Sequence, residues 1–292
     1  MKLSLITVNY NGTEKTIRLL ESLRQQTDQN FDIIVVDNAS SGDDARQLSY
    51  YREHTFSAFT LIQNSQNLGY SGGNNIGIKQ ALQNGANYVF LINSDTWTDP
   101  TFIAQLRPKL SLVEGLGAIP VNEGARTAYY GKIQWLKPTL QHIYQEGSGQ
   151  KAVGRSFYVN GAGLLINTKV FQKIDFLDER YFLYFEDADF SIRAYKAGVP
   201  IALLDDISIH HEVSSTTKSL GAPLLLHYHW RNAHLFNWKN GPLWVKIALP
   251  FWSIFTILKQ SMKIILGMHR DQSKAILAGV FDFYLGRFGK IR

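Results

Sequence analysis

A series of short apolar runs, each ending abruptly in polar residues, constrains the fold of this chain most strongly. LSLITV at residues 3–8 and IIVV at residues 33–36 are rich in β-branched side chains, and YVFLI at residues 88–92 repeats the pattern. Continuous apolar runs of this length are typical of strands that are buried on both faces of a parallel sheet.

Helical patterns separate these runs. Ile17, Leu20 and Leu23 recur at helical spacing between the first two strands. Helices are predicted over residues 13–25 and 75–83, and a further strand over residues 59–62. Alternating strands and helices predict an α/β fold with a Rossmann-like, doubly wound, mostly parallel sheet and flanking helices.

Polar side chains follow the predicted strands, where ligands bind in sheets of this kind. These side chains are Asn9, Tyr10, Asn11, Asp37, Asn38, Asn93, Ser94 and Asp95. The first strand continues as VNYNG and lacks the Gly-x-Gly-x-x-Gly fingerprint, which argues against an NAD or FAD enzyme. There is no Gly-x-Ser-x-Gly elbow, so a nucleophilic serine has no support either.

Four features could carry chemistry, and each also has a plain structural explanation. Asp95 could be a turn or cap residue, Asp187 a helix N-cap, and Asp189 the partner of Arg193 at i+4. A histidine in HH at residues 210–211 could be structural, and the glycines of NLGYSGGNN could mark a loop at residues 67–75.

Taken together, these features indicate a metal site beside a base. Asp95, the Glu186–Asp187 pair and a following histidine would supply one metal ligand, one base and one further ligand. Mg²⁺ and Mn²⁺ prefer carboxylate oxygen, Mn²⁺ also tolerates imidazole, and both bridge diphosphates. This combination suits a nucleotide-sugar substrate.

An ordered series of seven segments carries a resemblance to a known family. The segments are LITVNYNG, IIVVDNASSGD, NLGYSGGNNIGI, YVFLINSDT, YVNGAGLLI, YFLYFEDADFSIRAYKAGVPI and ISIHHEVSS. Over residues 1–216 the chain resembles the inverting GT-A glycosyltransferases of family 2, and within them the bacterial rhamnosyltransferase-like branch. YHWRN at residues 228–232 and GVFDFYLGRFGK at residues 279–290 also resemble that branch.

The resemblance implies a role for each matching residue. Asp37 would hydrogen-bond the nucleotide base in a pocket lined by the backbone around three residues: Thr7, Asn9 and Tyr10. The residues that would approach the diphosphate and sugar are Asn67, Gly69, Gly72 and Asn74. Asp187 matches the catalytic base, with Glu186 as its neighbour.

The implied metal site departs from the family pattern. Asp95 matches the last acid of the Asp-x-Asp motif, and His210 matches the metal-side histidine, although His211 could exchange roles with it. Asn93 stands where the motif has its first acid, so the site has one charged ligand fewer and should bind Mn²⁺ or Mg²⁺ more weakly. The metal would replace the general acid that a glycosidase needs.

The C-terminal segment holds all of the basic excess. Residues 239–292 contain nine basic and two acidic side chains, whereas the whole chain has a net charge of +6. Its longest uncharged stretch, residues 247–258, is shorter than the roughly 20 residues that span a bilayer. One polar stripe is formed by Ser253, Thr256, Gln260, Lys263, Gly267 and Arg270. The segment is predicted to lie on an anionic membrane surface, with packing on the main domain or a second subunit as the alternative, and nucleic acid is not expected.

These observations predict an organisation and a function. A catalytic domain is expected over residues 1–225, with a nucleotide-sugar-binding half (1–118) and an acceptor-binding half (119–225), followed by a helical region at 226–292. The glycine-rich stretch at residues 120–156 is interpreted as a long loop or irregular hairpin over the site. The chain has no cysteine and only a short N-terminal apolar run, so a cytoplasmic enzyme, peripheral on the inner face of the cell membrane, is expected.

The expected activity is the metal-dependent transfer of a sugar with inversion. Rhamnose from dTDP-rhamnose, moved onto a bacterial surface polysaccharide or a lipid-linked glycan, is favoured. UDP-galactofuranose, UDP-galactose, UDP-glucose and UDP-N-acetylhexosamine stay open as donors. A catalytically silent nucleotide-sugar-binding scaffold is the alternative from another class.

Overall fold

The computed structural model describes residues 1–144, 156–212 and 222–291. Its strands are β1 (Leu3–Asn9), β2 (Asp32–Asp37), β3 (Thr60–Gln63), β4 (Tyr88–Ile92), β5 (Thr96–Trp97), β6 (Leu116–Ala118), β7 (Val121–Glu123), β8 (Arg126–Ala128), β9 (Tyr130–Lys132), β10 (Gln141–Ile143), β11 (Phe157–Tyr158), β12 (Gly163–Asn167), β13 (Ile201–Leu203) and β14 (Ile209–His211). Its α-helices are α1 (Thr13–Arg24), α2 (Asp44–His54), α3 (Gly69–Gln83), α4 (Phe102–Leu106), α5 (Phe171–Ile174), α6 (Glu186–Lys196), α7 (Ala222–Asn240), α8 (Leu243–Ile265) and α9 (Arg270–Tyr284). Two 3₁₀ helices cover Arg107–Leu112 and Thr168–Val170.

The largest sheet has seven strands in the order β13-β6-β12-β4-β1-β2-β3. The central strands β4, β1, β2 and β3 run parallel, and β6 and β13 are also parallel to each other. β12 runs antiparallel to both of its neighbours. The predicted mostly parallel α/β sheet is therefore present as a mixed sheet, in which the single reversed strand β12 separates β4, β1, β2 and β3 from β6 and β13.

Side chains of β4 alternate between the two faces of this sheet. Tyr88, Phe90 and Ile92 belong to one buried cluster, which also contains residues from α1 and α4. Val89 and Leu91 belong to the cluster on the opposite face, with residues from α3. Burial on both faces explains why the strand is a continuous apolar run rather than an alternating one.

The glycine-rich segment at residues 67–75, predicted as a loop, begins a helix instead. α3 starts at Gly69, and its glycines allow close packing. A Cβ on Gly73 would lie 2.9 Å from Val8, and one on Gly77 would lie 2.4 Å from Ile6, both side chains of β1. The glycines therefore bring the helix against the central strand, a tertiary requirement that local turn signals do not reveal.

Residues 120–144 form short strands rather than one long loop. β7 and β8 form an antiparallel hairpin in a four-stranded sheet of order β5-β14-β7-β8. β9, β10 and β11 form a second small sheet of order β10-β9-β11. These strands have two or three residues each, too few to show a period of two, and the rest of the predicted lid (residues 145–155) lies outside the described residues.

The three C-terminal helices pack together and onto the catalytic part of the chain. A Cβ on Gly279 of α9 would lie 2.6 Å from the carbonyl oxygen of His227 in α7, so these helices touch at their backbones. Lys239 Nζ lies 2.8 Å from Asp189 of α6, which is fully buried. α7 continues through residue 225, and the predicted domain division there stays a prediction.

The first half of the predicted polar stripe faces inward, whereas Lys263 is half-buried and Gly267 and Arg270, beyond the end of α8, are exposed. Ser253, Thr256 and Gln260 are buried, and the Ser273 hydroxyl donates a 3.0 Å hydrogen bond to Gln260 Oε1. Of the helices in the described ranges, none is both long and apolar enough to cross a bilayer.

Candidate active site

The carboxyl ends of β1 and β2 hold Asn9 and Asp37 side by side, because these residues are register partners. Asn9 Nδ2 donates to Asp37 Oδ1 at 2.8 Å, and the Thr16 hydroxyl donates to Asn9 Oδ1 at 2.8 Å, which fixes the orientation of the amide. Asp37 is buried and also accepts a hydrogen bond from the backbone N–H of Ser40. A carboxylate has about four acceptor positions, so Asp37 keeps capacity for a ligand.

Asn38 joins the end of β2 to the start of α3. Its amide nitrogen donates to Asn67 Oδ1 at 3.0 Å and to the carbonyl oxygen of Gly69 at 2.9 Å. Its oxygen accepts from the Leu68 backbone N–H at 3.1 Å and from the Asn64 amide at 3.0 Å. The predicted donor residues Asn67 and Gly69 are therefore held at the strand edge that carries Asp37.

The N-terminus of α3 points toward this edge. Gly72 belongs to its first turn, and Asn74 bonds back to the carbonyl oxygen of Tyr70 at 2.9 Å. The hydroxyls of Thr7 and Ser71 are buried, with no hydrogen-bond partner among the described residues. Ser71 belongs to the first turn of α3, whereas Thr7 belongs to β1, and a buried hydroxyl without a partner favours a polar ligand. The N–H groups of Gly69 and Tyr70 in this turn already donate to Asn67 Oδ1 and to the Phe182 carbonyl oxygen. Tyr10 lies at the rim, about one third exposed.

Asp95 follows β4 and meets a histidine of β14. His211 Nε2 lies 3.1 Å from Asp95 Oδ1, and the backbone N–H of Glu212 donates to the Asp95 carbonyl oxygen at 2.9 Å. β14 pairs with β5 so that His211 opposes Thr96, next to Asp95 in the chain. This pairing brings the two side chains together.

His210, the predicted metal ligand, is placed elsewhere. Its ring stacks on Trp97 with centroids 5.4 Å apart, and its Nε2 lies 3.4 Å from Asp99 Oδ1. Successive residues of a strand point to opposite faces, so only one of the two histidines can face Asp95. His211, the alternative that the sequence had left open, is therefore the histidine that lies beside Asp95, and the metal-ligand role stays a prediction.

The donor set at this position fits a divalent cation. In an octahedral shell with bonds of about 2.1 Å, neighbouring ligand atoms lie about 3 Å apart, close to the observed 3.1 Å between Asp95 Oδ1 and His211 Nε2. Asn93 Oδ1, two residues before Asp95 in the chain, is buried without a hydrogen-bond partner in the described part of the chain. Within those same residues no group of three histidine or acidic side chains surrounds one point, so a metal here would complete its shell with substrate and water.

The acidic pair begins α6. The backbone N–H of Gly161 donates to Asp187 Oδ2 at 3.0 Å, and that of Ala188 donates to Oδ1 at 2.7 Å. Burial raises the pKa of Asp187, and these two hydrogen bonds act in the opposite direction. Burial and the charge of Asp187 raise the pKa of Glu186 to about 8. Both carboxyl groups therefore hold their protons more tightly than free carboxyl groups do.

Tyr70 contacts the segment that holds Asp187. Its hydroxyl donates to the Gly161 carbonyl oxygen at 2.7 Å. Burial, and then the charges of Glu186, Asp187 and Asp95, raise its pKa well above the ordinary value. The predicted base and the predicted metal ligand, 92 positions apart in sequence, thus both influence the pKa of the same phenol.

Glu123 and His142 form a cluster that sequence reasoning missed. His142 Nδ1 lies 3.0 Å from Glu123 Oε1, and the Tyr144 hydroxyl donates to Glu123 Oε2 at 2.8 Å. The hydrogen bond to Glu123 raises the pKa of His142, and the charge of Asp187 contributes in the same direction. β14 places His211 opposite Glu123. These residues lie in three-residue strands without a recognisable motif, so only their pairing reveals them.

The arrangement defines a class of protein. A polar strand edge with Asn9 and Asp37, an acid after β4 and an acidic pair at the start of α6 fit a GT-A glycosyltransferase. The Glycosyl transferase family 2 model matches residues 4–175, more than half of the chain. The chain belongs to this family and is a nucleotide-sugar-dependent glycosyltransferase.

Curated relatives align over most of the chain. The chain is 27% identical over 242 residues to the low-salt glycan biosynthesis hexosyltransferase Agl10 of Haloferax volcanii, which covers 74% of this chain and 69% of that protein. It is 24% identical to the dTDP-rhamnosyl transferase RfbF of Shigella flexneri, with 85% and 84% covered. It is 25% identical to an N-acetylglucosaminyl-diphospho-decaprenol L-rhamnosyltransferase of Mycobacterium tuberculosis, with 82% and 87% covered.

Solved structures share the fold. S. aureus TarS 1-349 in complex with UDP-GlcNAc aligns with a TM-score of 0.58 at 14% identity, over 100% of this chain and 94% of that one. GalNAc-T7 with UDP, GalNAc and Mn²⁺ aligns with a TM-score of 0.62 at 14% identity, over 98% of this chain. The chain spans 56% of that GalNAc-T7 chain and 40% of a longer TarS chain.

Proposed function

We propose that this enzyme transfers rhamnose from dTDP-rhamnose, with inversion, onto a bacterial surface polysaccharide or a lipid-linked glycan. The observation that carries the reaction type is the placement of Asp187 at the start of α6, where the Gly161 N–H holds its carboxylate and the Tyr70 hydroxyl bonds the carbonyl oxygen of the same glycine. The names of the relatives from Shigella flexneri and Mycobacterium tuberculosis support rhamnose as the sugar.

Asp187 acts as the base. It takes the proton from the acceptor hydroxyl while that oxygen bonds to the anomeric carbon, and the bond from this carbon to the diphosphate oxygen breaks. Glu186 is protonated near neutral pH because its pKa lies at about 8, so it does not add a second charge beside the base. A positioned base contributes about 10²–10⁴-fold to such a rate.

Asp95 and His211 would hold Mn²⁺ or Mg²⁺, which would neutralise charge on the diphosphate leaving group. Asn93, two residues before Asp95, keeps a buried oxygen without a hydrogen-bond partner among the described residues. Asp37 and Asn9 hold the nucleotide base, and the first turn of α3, with Asn67, Gly69, Gly72 and Asn74, receives the diphosphate and sugar.

The replacement of Asp187 by asparagine tests the reaction. Asp187→Asn keeps the shape of the side chain but removes the base, so transfer should fall by about 10²–10⁴-fold while dTDP-rhamnose still raises the melting temperature. The matched control is Asp99→Asn, which changes an exposed acid near His210. A variant that retains full transfer would contradict the assignment of the base.

A panel of donors tests the sugar. Thermal shifts with dTDP-rhamnose, UDP-galactofuranose, UDP-galactose, UDP-glucose and UDP-N-acetylhexosamine, with and without Mn²⁺, should be largest for dTDP-rhamnose with Mn²⁺. A larger shift in melting temperature with one of the UDP-sugars would identify that sugar nucleotide as the donor instead. Binding without release of nucleoside diphosphate from any donor would support the catalytically silent scaffold instead.

The acceptor is proposed to lie at a membrane, because α8 presents an apolar face to solvent. Ile247, Phe251, Ile254, Leu258 and Ile265 are each more than half exposed, whereas three polar residues of the same helix, Ser253, Thr256 and Gln260, are buried. This distribution is the reverse of that in a surface helix of a soluble domain, where the apolar face packs inward. An exposed face of this size needs a partner.

A bilayer with anionic lipids is the partner that the charge favours. Lys246, Lys259 and Lys263 belong to α8 itself, and residues 239–292 carry a net charge of +7. Lysines beside an apolar face suit an interfacial helix, which inserts its apolar side chains and pairs its cations with headgroups. The enzyme is therefore proposed to be peripheral on the inner face of the cell membrane, with a lipid-linked acceptor.

Liposome flotation tests this partner. Phe251→Glu and Leu258→Glu should each weaken binding to phosphatidylglycerol liposomes by about tenfold, since each removes an exposed apolar side chain that would be buried in the bilayer on binding. Leu112→Glu is the control, because Leu112 is 67% exposed, like Leu258 at 66%, but lies outside the C-terminal helices. Unchanged flotation would refute the proposal that α8 binds the membrane. A dimer that these substitutions dissociate would also refute it and would favour a second copy of the chain as the partner.

A further inference from the structure

The five residues before α6 adopt a strained turn. Residues 181–185 end directly at Glu186, and Phe182, Tyr184 and Phe185 have φ values of +60°, +70° and +74°. Bulky L-residues rarely adopt this left-handed conformation, and a turn that contains three of them persists only when surrounding groups enforce it.

Asn232 of α7 supplies this support. Its side chain is fully buried, and Nδ2 lies 2.7 Å from the carbonyl oxygens of both Tyr181 and Leu183 and 3.1 Å from that of Tyr184. Arg231 Nε donates to Asn232 Oδ1 at 3.1 Å. The guanidinium therefore occupies the amide oxygen, and the amide hydrogens are directed at the turn.

Aromatic contacts extend this support to the side chains of the turn. The ring of Phe182 stacks on Tyr228 with centroids 5.4 Å apart, and that of Tyr184 stacks on His229 at 4.1 Å. The motif YHWRN, which the reaction itself does not use, thus contacts the turn with four of its five residues. The motif therefore contacts both the backbone carbonyl groups and the aromatic rings of the turn.

Arg231 contributes to the same support of the turn. It is almost fully buried, its guanidinium lies 5.1 Å from the ring centroid of Tyr228, and Nη2 is 3.5 Å from the Tyr181 carbonyl oxygen. Burial of a guanidinium is costly, and burial lowers its pKa. Its use here is to orient the Asn232 amide, which a hydrophobic side chain of similar size could not do.

The opposite side of the turn touches the donor half. The backbone N–H of Tyr70 donates to the Phe182 carbonyl oxygen at 2.6 Å, and Tyr70 also bonds Gly161, whose N–H holds Asp187. The turn therefore lies between the start of α3 and the start of α6. A displacement of the turn would move the base relative to the bound donor.

We propose that Asn232 is a positioning residue for Asp187, with Arg231 setting the orientation of its amide. α7 thereby holds the turn in the one conformation that lets α6 present the base toward the acceptor hydroxyl. The inference rests on the proposed role of Asp187 as the base. It gives the C-terminal helices a part in the reaction that is separate from membrane binding.

Two readouts on the full chain test this role. Asn232→Ala should lower kcat for dTDP release from dTDP-rhamnose by about 10²-fold, because a misplacement of about 1 Å can cost that much, while KM for the donor stays close to the wild type. Asn232→Ser keeps one donor and should show a smaller loss. Amide hydrogen exchange of a peptide covering residues 181–189, measured without substrate, should accelerate in both variants.

Asn237→Ala is the matched control. Asn237 is a buried asparagine of the same helix, but its amide bonds the Ala233 carbonyl oxygen and the Leu136 N–H rather than the turn. It should lower the melting temperature without accelerating exchange at residues 181–189 or changing kcat. If Asn232→Ala does not fold, Asn232→Ser decides by the same readouts.

Unchanged exchange in the Asn232 variants, or a loss of kcat no larger than that of Asn237→Ala, would overturn the proposal. A wild type that releases no dTDP would instead count against the proposed donor. The exchange experiment needs no donor, so it tests the support of the turn independently of the sugar.

Discussion

Gly69 begins α3 at its contact with the turn before α6, and an alanine at this position tests how closely the donor half and the base are packed. The Cβ of an alanine would lie 2.3 Å from the Phe182 carbonyl oxygen and 2.6 Å from two carbons of its ring. Gly69 also has a φ of +74°, which disfavours any L-residue. The substitution therefore combines backbone strain with overlap.

The expected loss in the free energy of unfolding is the sum of these two effects. The left-handed conformation costs an alanine about 1–2 kcal/mol. Overpacking against a backbone carbonyl that is itself held in a turn adds about 1–3 kcal/mol. The expected loss in the free energy of unfolding is thus about 2–5 kcal/mol. Gly85 has a φ of +78° and no heavy atom within 4 Å of its Cβ position, so Gly85→Ala bears only the first term.

Urea unfolding of the wild type, Gly69→Ala and Gly85→Ala measures the difference. Gly69→Ala should be less stable than Gly85→Ala by about 1–3 kcal/mol, and it alone should lower kcat, because the hydrogen bond between Tyr70 and Phe182 must lengthen. Equal losses in the two variants would refute the close contact between α3 and the turn.

The remaining predictions concern the titration and the metal. The pKa of Glu186 rises from 4.5 to about 8 in the folded state, so the fold binds this proton more tightly than the unfolded chain does and loses stability as the pH rises between these values. Glu186→Gln should therefore stabilise the protein in urea unfolding at about pH 9 but not at about pH 4, and an equal effect at both would contradict the raised pKa. His211→Ala should raise the Mn²⁺ concentration for half-maximal activity by about 10–100-fold, whereas His210→Ala should leave it near the wild-type value. The reverse order would restore His210 as the ligand.

Features that depend on a local pattern of apolar and polar side chains were predictable from sequence. The strands over residues 3–8 and 88–92 lie within one residue of their structural bounds, since burial on both faces leaves a continuous apolar run. Asp37 and Asp95 lie at the predicted sheet edge, because parallel strands end on the same side. The pairing of Asp189 with Arg193, at 2.7 Å, was also foreseen from helical spacing.

Residues whose role depends on pairing between distant segments were not predictable. His210 and His211 differ only by which face of β14 they occupy, and the pairing of that strand with β5 decides which of them meets Asp95. The strands at residues 121–143 are too short to show a period, so Glu123 and His142 had no sequence signal.

The sequence by itself determined the alternation of strands and helices, the polar strand ends and the polar stripe of α8, because each is a local pattern written in the order of side chains. Tertiary structure decided that Ser253, Thr256 and Gln260 of this stripe face inward and the apolar face outward. It also decided that Asn232 meets the turn before the base, about fifty residues away in the chain. Contacts of this kind depend on how whole helices and strands pack together, and no local sequence pattern shows which distant residue a side chain will contact.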